Sequence, residues 1–213
     1  MNCCDRSRYG RLFNERFARR VARRYRKRGL DKSSRRIADF LRDHGLQGAT
    51  VLEIGGGIGE IQLELLKAGA ARSVNLELSE EYEGEARRLA DENGVGDRID
   101  RRFHDIATQP EAVEPADVVV LNRVVCCYPD YELLLGAAAD HARRLLVFSY
   151  PPRNALSRAI VSFTNALQAL RGSEFRAFTH PPPAMLSVLD RRGLRRTYEH
   201  HGLVWQIAGL ERA

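Results

Sequence analysis

The stretch VLEIGGGIGE, residues 51–60, places Glu53, Gly55, Gly57 and Gly59 at alternate positions. An apolar run ends there and a helix-like run begins. Glycines at such a turn let the backbone bend tightly and let a ligand approach without meeting a Cβ. Two phosphate-binding loops do not fit. A P-loop requires G-x-x-x-x-G-K-[ST], and no Lys follows here. The dinucleotide fingerprint G-x-G-x-x-G accepts Gly55 and Gly57 but meets Glu60 where Gly or Ala belongs. A carboxylate at that helix start would also repel a pyrophosphate. Glu77, in VNLELS, lies eighteen residues after Gly59. At a strand end, its carboxylate can accept hydrogen bonds from both hydroxyls of a ribose. Asp105 and Ile106 in FHDIA, and Asn122 and Arg123 in VVVLNRVV, occupy the corresponding places after the next two strands. Two adjacent thiols, Cys126 and Cys127, then precede Tyr128 and Pro129, and a second pair, Cys3 and Cys4, opens the chain.

These residues need strand ends and loops to hold them, and the pattern supplies both. ATVLEIG reads as an apolar strand, EIQLELLKAGA as a helix and RSVNLELS as a strand. EEYEGEARRLADENG reads as a charged helix with Ser79 at its cap and Gly94 past its end. RIDRRFHDI and ADVVVLN are strands, DYELLLGAAADHA is a helix, and RRLLVFSYPP is a fifth strand stopped by Pro151 and Pro152. Alternating strands and helices imply crossover connections and a mainly parallel sheet covered on both faces. ALSRAIVSFTNALQAL and AMLSVLDRRG are further helices, separated by the irregular RGSEFRAFTHPPP. LRRTYEHHG and LVWQIAGLER form a hairpin that closes the sheet. If the fourth strand continues through the cysteines, period-two geometry sends Cys126 and Cys127 to opposite faces.

Upstream, Phe13, Phe17, Val21 and Tyr25 make one stripe on a helix whose other faces are arginine, and Gly29 ends it. In DKSSRRIADFLRDHG, Ser33 or Ser34 can cap a second helix, Ile37, Phe40 and Leu41 form its apolar face, and Gly45 ends it. Residues 1–50 carry 15 Lys and Arg against 5 Asp and Glu, whereas the whole 213-residue chain is only +6. The basicity therefore belongs to the N-terminal arm. Such an arm suits nucleic acid, an anionic lipid surface or an acidic small molecule. The apolar runs are too short for a transmembrane helix, and MNCCDRSRYG has no apolar core of a secretory signal. The expectation is a cytoplasmic protein, where disulfides are a poor reading of four cysteines.

The spacing E-x-G-x-G-x-G at Glu53 to Gly59 resembles motif I of the class I S-adenosylmethionine (SAM) dependent methyltransferases. SAM carries no phosphate, so an acidic neighbourhood suits its ammonium and sulfonium charges. The resemblance spans about residues 30–210 and implies a Rossmann-like seven-stranded α/β sheet, mainly parallel, with a C-terminal hairpin and a helical N-terminal arm. It implies SAM contacts from Glu53, Gly55, Gly57, Gly59, Glu77, Leu78, Asp105, Ile106 and Asn122. Glu77 would hold the ribose, and Asp105 would accept from the adenine amino group beside Ile106. The NPPY-type motif of amino-nitrogen methyltransferases is absent. DVVVLNRVVCCYPD is further similar to the fourth-strand loop of magnesium protoporphyrin IX O-methyltransferases, as are FSYPPRNALSRAI and FRAFTHPP to the region after their fifth strand. Tyr128 and Pro129 match that family's Tyr-Pro, and Cys127 stands where it has histidine.

The organisation expected is a basic helical arm or lid over residues 1–45 and a methyltransferase domain over 46–213, with 153–180 as a substrate cap. The expected activity is SAM-dependent methylation, at oxygen, of a small acidic or aromatic molecule. Candidate catalytic residues are Cys127, Tyr128 and Tyr9, and candidate substrate contacts are Arg176 and His180. A carboxylate acceptor needs no base, whereas a phenol, catechol or amine would benefit from one. Two other readings compete. The arginine-rich arm suits a nucleic-acid-binding or RNA-modifying protein, although its aromatics form a helical stripe and no RNA-binding motif is present. The paired cysteines suit a thiolate site for a soft metal or metalloid. Adjacent cysteines lack the C-x₂-C spacing of zinc sites, so no metal is assigned.

Overall fold

The computed structural model describes residues 12–213. Tyr9, Cys3 and Cys4 lie outside them. Seven strands form one sheet: β1 (Thr50–Ile54), β2 (Arg72–Glu77), β3 (Ile99–Phe103), β4 (Ala116–Leu121), β5 (Ala142–Tyr150), β6 (Leu194–His201) and β7 (Gln206–Arg212). Their order is β3-β2-β1-β4-β5-β7-β6. The first five strands run parallel, and β7 pairs antiparallel with both β5 and β6. The expected sheet, with its C-terminal hairpin, is the one present. Strand order reverses between β1 and β4, and the carboxyl ends of strands at such a reversal frame the ligand crevice.

The β4 run alternates between two cores, as a pleated strand must. Val118 and Val120 face one side with Val51, Leu145, Val147 and Ile207. Val119 and Leu121 face the other with Leu52, Leu146, Phe148 and Ala208. The first face is covered by α1 (Glu15–Arg28), α2 (Lys32–Asp43), α3 (Glu60–Lys67) and α4 (Glu83–Glu92). The second is covered by α5 (Tyr131–His141) and α7 (Pro182–Asp190). Between these last two, α6 (Ala155–Leu170) lies outside, with Leu156, Ile160, Phe163 and Leu170 exposed.

The apolar stripe of the arm lies on the first core: Ala18, Ala22 and Tyr25 are buried in it, with Phe13, Phe17 and Val21 packed against it. Asn14 caps α1 by accepting from Phe17 N, and Gly29 ends it at φ 66°. Two expected caps are corrected. Asp31, not Ser33 or Ser34, caps α2, its carboxylate accepting from both serine amides at 2.9 and 3.1 Å. Those amides lie two and three residues after Asp31, the reach of an N-cap side chain, and an ionised oxygen is a strong acceptor for them. Ser79 does not cap α4. A 3-10 turn, Glu80–Tyr82, intervenes, and the Ser79 hydroxyl donates to Phe13 O at 2.9 Å. That bond ties the start of the arm to the end of β2. Among the described residues no helix is long and apolar enough to cross a membrane.

Candidate active site

A cavity of about 480 Å³ opens at the sheet's reversal point. Its floor is the β1–α3 turn, and its sides are the loops after β2, β3 and β4. Its cover includes Phe13, Phe17, Arg20, Val21 and Arg24 of the arm. Of the residues expected to hold a cofactor, Glu53, Gly55, Gly57, Glu77, Leu78, Asp105, Ile106 and Asn122 all line it. Gly59 instead caps α3 behind the turn.

The turn is shaped by close approach. Gly55 has φ +64°, and a Cβ there would come within 2.6 Å of Val124 Cγ2. A Cβ on Gly56 would run into the Asn75 side chain and lie 2.8 Å from Glu53 Cδ. The Gly57 peptide is gripped at both ends. Its N–H donates to Glu77 Oε2 at 2.8 Å, and its carbonyl accepts from Arg101 Nη2 at 2.9 Å. Glu77 Oε1 also accepts from Leu78 N at 2.8 Å and Ser79 N at 3.1 Å. Glu77 is thus fixed by three backbone amides at the cavity wall, with lone pairs remaining for a ligand.

Glu53 lies deeper, 2 % exposed. Its Oε2 accepts from Gln62 N at 3.3 Å and Asn75 Nδ2 at 3.5 Å, and Ser73 Oγ donates to Gln62 Oε1 at 2.8 Å. Burial, reinforced by the Glu60 carboxylate, pushes Glu53 up to about 8. Burial also raises Glu60. A cationic ligand above the turn would relieve both groups, because a nearby positive charge favours the ionised carboxylate.

After β3, Asp105 accepts from Ala107 N at 3.1 Å through Oδ1 and from the Tyr128 hydroxyl at 3.0 Å through Oδ2. Tyr128 is buried, and its phenol is engaged by this carboxylate. After β4, Asn122 Nδ2 donates to Ser34 Oγ at 3.1 Å, and its Oδ1 accepts from Ser149 Oγ at 2.9 Å. Arg123 follows with φ 63°, the one non-glycine positive φ among the described residues. Its N–H donates to Ser149 Oγ at 2.8 Å, its Nη2 meets Asp31 Oδ2 at 2.7 Å, and its guanidinium lies over Trp205 at 5.3 Å.

The cysteines require a correction. Strand β4 ends at Leu121, and Cys126 and Cys127 sit on a 3-10 turn, Val125–Cys127. They do not point to opposite faces: their sulfurs are 3.7 Å apart. Cys127 lines the cavity, and Cys126 is buried. Hydrogen bonding to Cys126 and burial push the Cys127 thiol well up.

The expected substrate residues are not in the cavity wall. Arg176 Nη1 donates to Ser173 O and Phe175 O, both at 2.7 Å, and so ties its own loop. His180 Nε2 meets Tyr128 O at 3.0 Å, and burial holds its pKa below the usual value. Both brace the segment that crosses the β4 loop, where Phe178 N donates to Cys126 O at 2.7 Å. Sequence reasoning missed Asn75, Arg101, Tyr82, Arg20 and Arg24. The polar alternation Ser73, Asn75, Glu77 in a strand that should be apolar on both faces was the available signal. Arg101 and Tyr82 act through contacts distant in sequence, and Arg20 and Arg24 line the cavity through the packing of the arm.

The methyltransferase domain family matches residues 17–205. A segment of 77 residues is 38% identical to the ribosomal protein L11 methyltransferase of Salmonella newport (strain SL254), covering 36% of this chain. That match spans only 25% of the relative's length. The magnesium protoporphyrin IX methyltransferase of Synechocystis PCC 6803, solved with bound S-adenosylhomocysteine (SAH), superposes with TM-score 0.70 at 20% identity, covering 97% of this chain and 94% of that one. An O-methyltransferase family 2 protein from Planctomyces limnophilus, in complex with apigenin, gives TM-score 0.67 at 17% identity over 93% and 62%. These low identities speak to the fold. The family match covers most of the chain, and the turn, its buried acids and the Glu77 wall fit a cationic nucleoside. The chain belongs to the methyltransferase domain family, with the fold of SAM-dependent methyltransferases.

Proposed function

We propose that this enzyme methylates a small anionic aromatic molecule at oxygen, with a carboxylate as the acceptor group. The observation that carries this reading is the arm side of the cavity, where Phe13, Phe17 and Tyr82 stand with Arg20, Arg24 and Arg123. Phe13 and Phe17 lie 6.4 and 6.3 Å from the Tyr82 ring. Arg24 and Arg123 share one carboxylate oxygen, Asp31 Oδ2, at 3.1 and 2.7 Å, so their positive charge is only partly compensated. Arg123 Nε is buried without a hydrogen-bond partner, a donor suited to an anionic acceptor.

Among the described residues, the side chains first expected to act as bases are already engaged, which supports the same choice. Cys127 is held protonated, and the Tyr128 hydroxyl donates a hydrogen bond to Asp105. His180 lies outside the wall. A carboxylate is already ionised at neutral pH and needs only alignment and exclusion of water. SAM supplies the activated methyl group. Glu77 would hold its ribose, Leu78 and Ile106 would flank the adenine, Asp105 would accept from the adenine amino group, and Glu53 would balance its ammonium. In this reading Cys127 and Tyr128 shape the cavity, Arg176 and His180 brace residues 153–180 as a cap, and α1 covers the site as a lid.

The names of two similar structures fall in this chemical range. One is named for magnesium protoporphyrin IX and another was crystallised with apigenin, both small aromatic molecules. The arm argues against nucleic acid as the acceptor. Arg19 pairs with Glu15, and Arg26 with Glu85 and Glu92, so these charges are neutralised within the chain. The outward Arg16, Arg23 and Arg28 remain for transient contact with an anionic membrane. The test is incubation with methyl-labelled SAM and a panel of aromatic carboxylates, porphyrins, phenols and RNA. Transfer to a carboxylated aromatic, released by mild alkali as an ester would be, supports the reading. Transfer confined to phenols or RNA contradicts it.

A further inference from the structure

The loop after β4 holds two adjacent thiols in a defined arrangement. The left-handed turn at Arg123 directs its carbonyl at both sulfurs, 3.6 Å from Cys126 Sγ and 3.7 Å from Cys127 Sγ. Cys127 N donates to Val124 O at 2.8 Å, and Cys126 O accepts from Phe178 N at 2.7 Å. The backbone is therefore fixed on both sides of the pair. One thiol lines the cavity and the other lies directly beneath it.

A disulfide suits this pair poorly. Adjacent Cα atoms are about 3.8 Å apart, and ordinary disulfides need about 4.4–6.8 Å. The sulfurs would also have to close from 3.7 Å to about 2.05 Å, which would pull them away from the Arg123 carbonyl. A third atom between them asks for no such movement. Two bonds of about 2.3 Å, the length of a zinc–thiolate bond, reach sulfurs 3.7 Å apart at an angle of about 107°. That is the angle of a pyramidal or tetrahedral centre. Zinc would need further protein ligands, and among the described residues no group of three or more His, Cys, Asp or Glu could hold a metal ion. The occupant must be soft, as thiolates prefer, and must bring its own remaining substituent.

We propose that Cys126 and Cys127 form a dithiol binding site, open to the cavity, for monosubstituted trivalent arsenicals. A species R–As(OH)₂ condenses with the two thiols. Two As–S bonds form, two As–O bonds break, two waters leave with the thiol protons, and arsenic stays trivalent. The site does not depend on the acceptor class proposed above, because its readout is binding.

The probe is phenylarsine oxide, applied to full-length Cys3→Ser/Cys4→Ser protein so that the N-terminal pair does not contribute. Intact-mass measurement should find one phenylarsenic group per chain, retained in excess glutathione and released by 2,3-dimercaptopropanol. Adding Cys126→Ser or Cys127→Ser should weaken retention about 100-fold or more, the usual advantage of two-point attachment. Cys126→Ala and Cys127→Ala, with thermal melts, separate loss of the site from loss of the fold. With SAH at about ten times its Kd, capture should slow about tenfold. No adduct, an adduct lost to glutathione, or equal retention in a single-cysteine variant would overturn the site. Capture at a rate unaffected by SAH would overturn its place in the cavity.

Discussion

Replacing Glu77 by alanine removes the acceptor for three backbone amides, at 2.8, 2.8 and 3.1 Å, and leaves the Gly57 peptide gripped by Arg101 at its carbonyl end alone. Hydrogen bonds to a charged group contribute about 1.5–3 kcal/mol each. Water from the cavity will re-solvate the exposed amides, so the stability loss without ligand should be only about 1–2 kcal/mol. Binding loses more, because the ribose acceptor and the set shape of the turn disappear together. The expected penalty for SAH is about 2–4 kcal/mol, or about 30- to 1000-fold in Kd. Glu77→Gln keeps one acceptor oxygen but turns an amide donor towards an N–H, and should lose about 1–2 kcal/mol. Calorimetric titration with SAH gives the affinities, and urea unfolding of the unliganded proteins gives the stabilities. An alanine variant that folds and binds SAH within about threefold of the parent would refute the ribose assignment.

Glu53 gives the fold a pH dependence of defined sign. Its pKa rises from 4.5 to about 8, so the folded chain keeps a proton that the unfolded chain releases. Its contribution is full below about 4.5 and declines as pH rises towards 8. Glu53→Gln should flatten that decline in melts between pH 5 and 8.5, and an unchanged slope would mean that Glu53 is ionised in the native state. Tyr128→Phe loses one hydrogen bond to Asp105, about 1 kcal/mol, so SAH affinity should fall a few-fold with kcat retained. A collapse of kcat at normal SAH affinity would make the hydroxyl catalytic. Gly56→Ala forces a methyl group against Asn75 and Glu53 and should cost about 1–3 kcal/mol of stability together with SAH binding, read by melting and titration. Arg24→Met should raise KM for an acidic acceptor about tenfold, consistent with loss of one charged contact, while SAH affinity holds.

The sheet and the cofactor wall were legible because their signals are local. Apolar runs set β1 and β4, glycine spacing sets the turn, and Glu77 and Asp105 stand at strand ends. Helix α6 spans the same residues, 155–170, that its pattern predicts. Local choices between near-equivalent groups were not legible. Asp31 took the cap that Ser33 and Ser34 also offered, and a 3-10 turn displaced Ser79 from α4. The opposite-face geometry of the thiols would have required the strand to continue past Leu121, where a left-handed Arg123 redirects the chain, yet Cys127 still reaches the cavity and Cys126 is buried. Arg101 was not legible because a charge in a strand carries no mark of the distant Gly57 carbonyl that draws it inward.

A crystal structure of the complex with SAH decides where the cofactor lies. The ribose should rest on the Glu77 carboxylate, the adenine between Leu78 and Ile106 with its amino group towards Asp105, and the amino-acid end over the Gly55–Gly57 turn. Density for the nucleoside elsewhere, or an adenine turned away from Asp105, would contradict this placement.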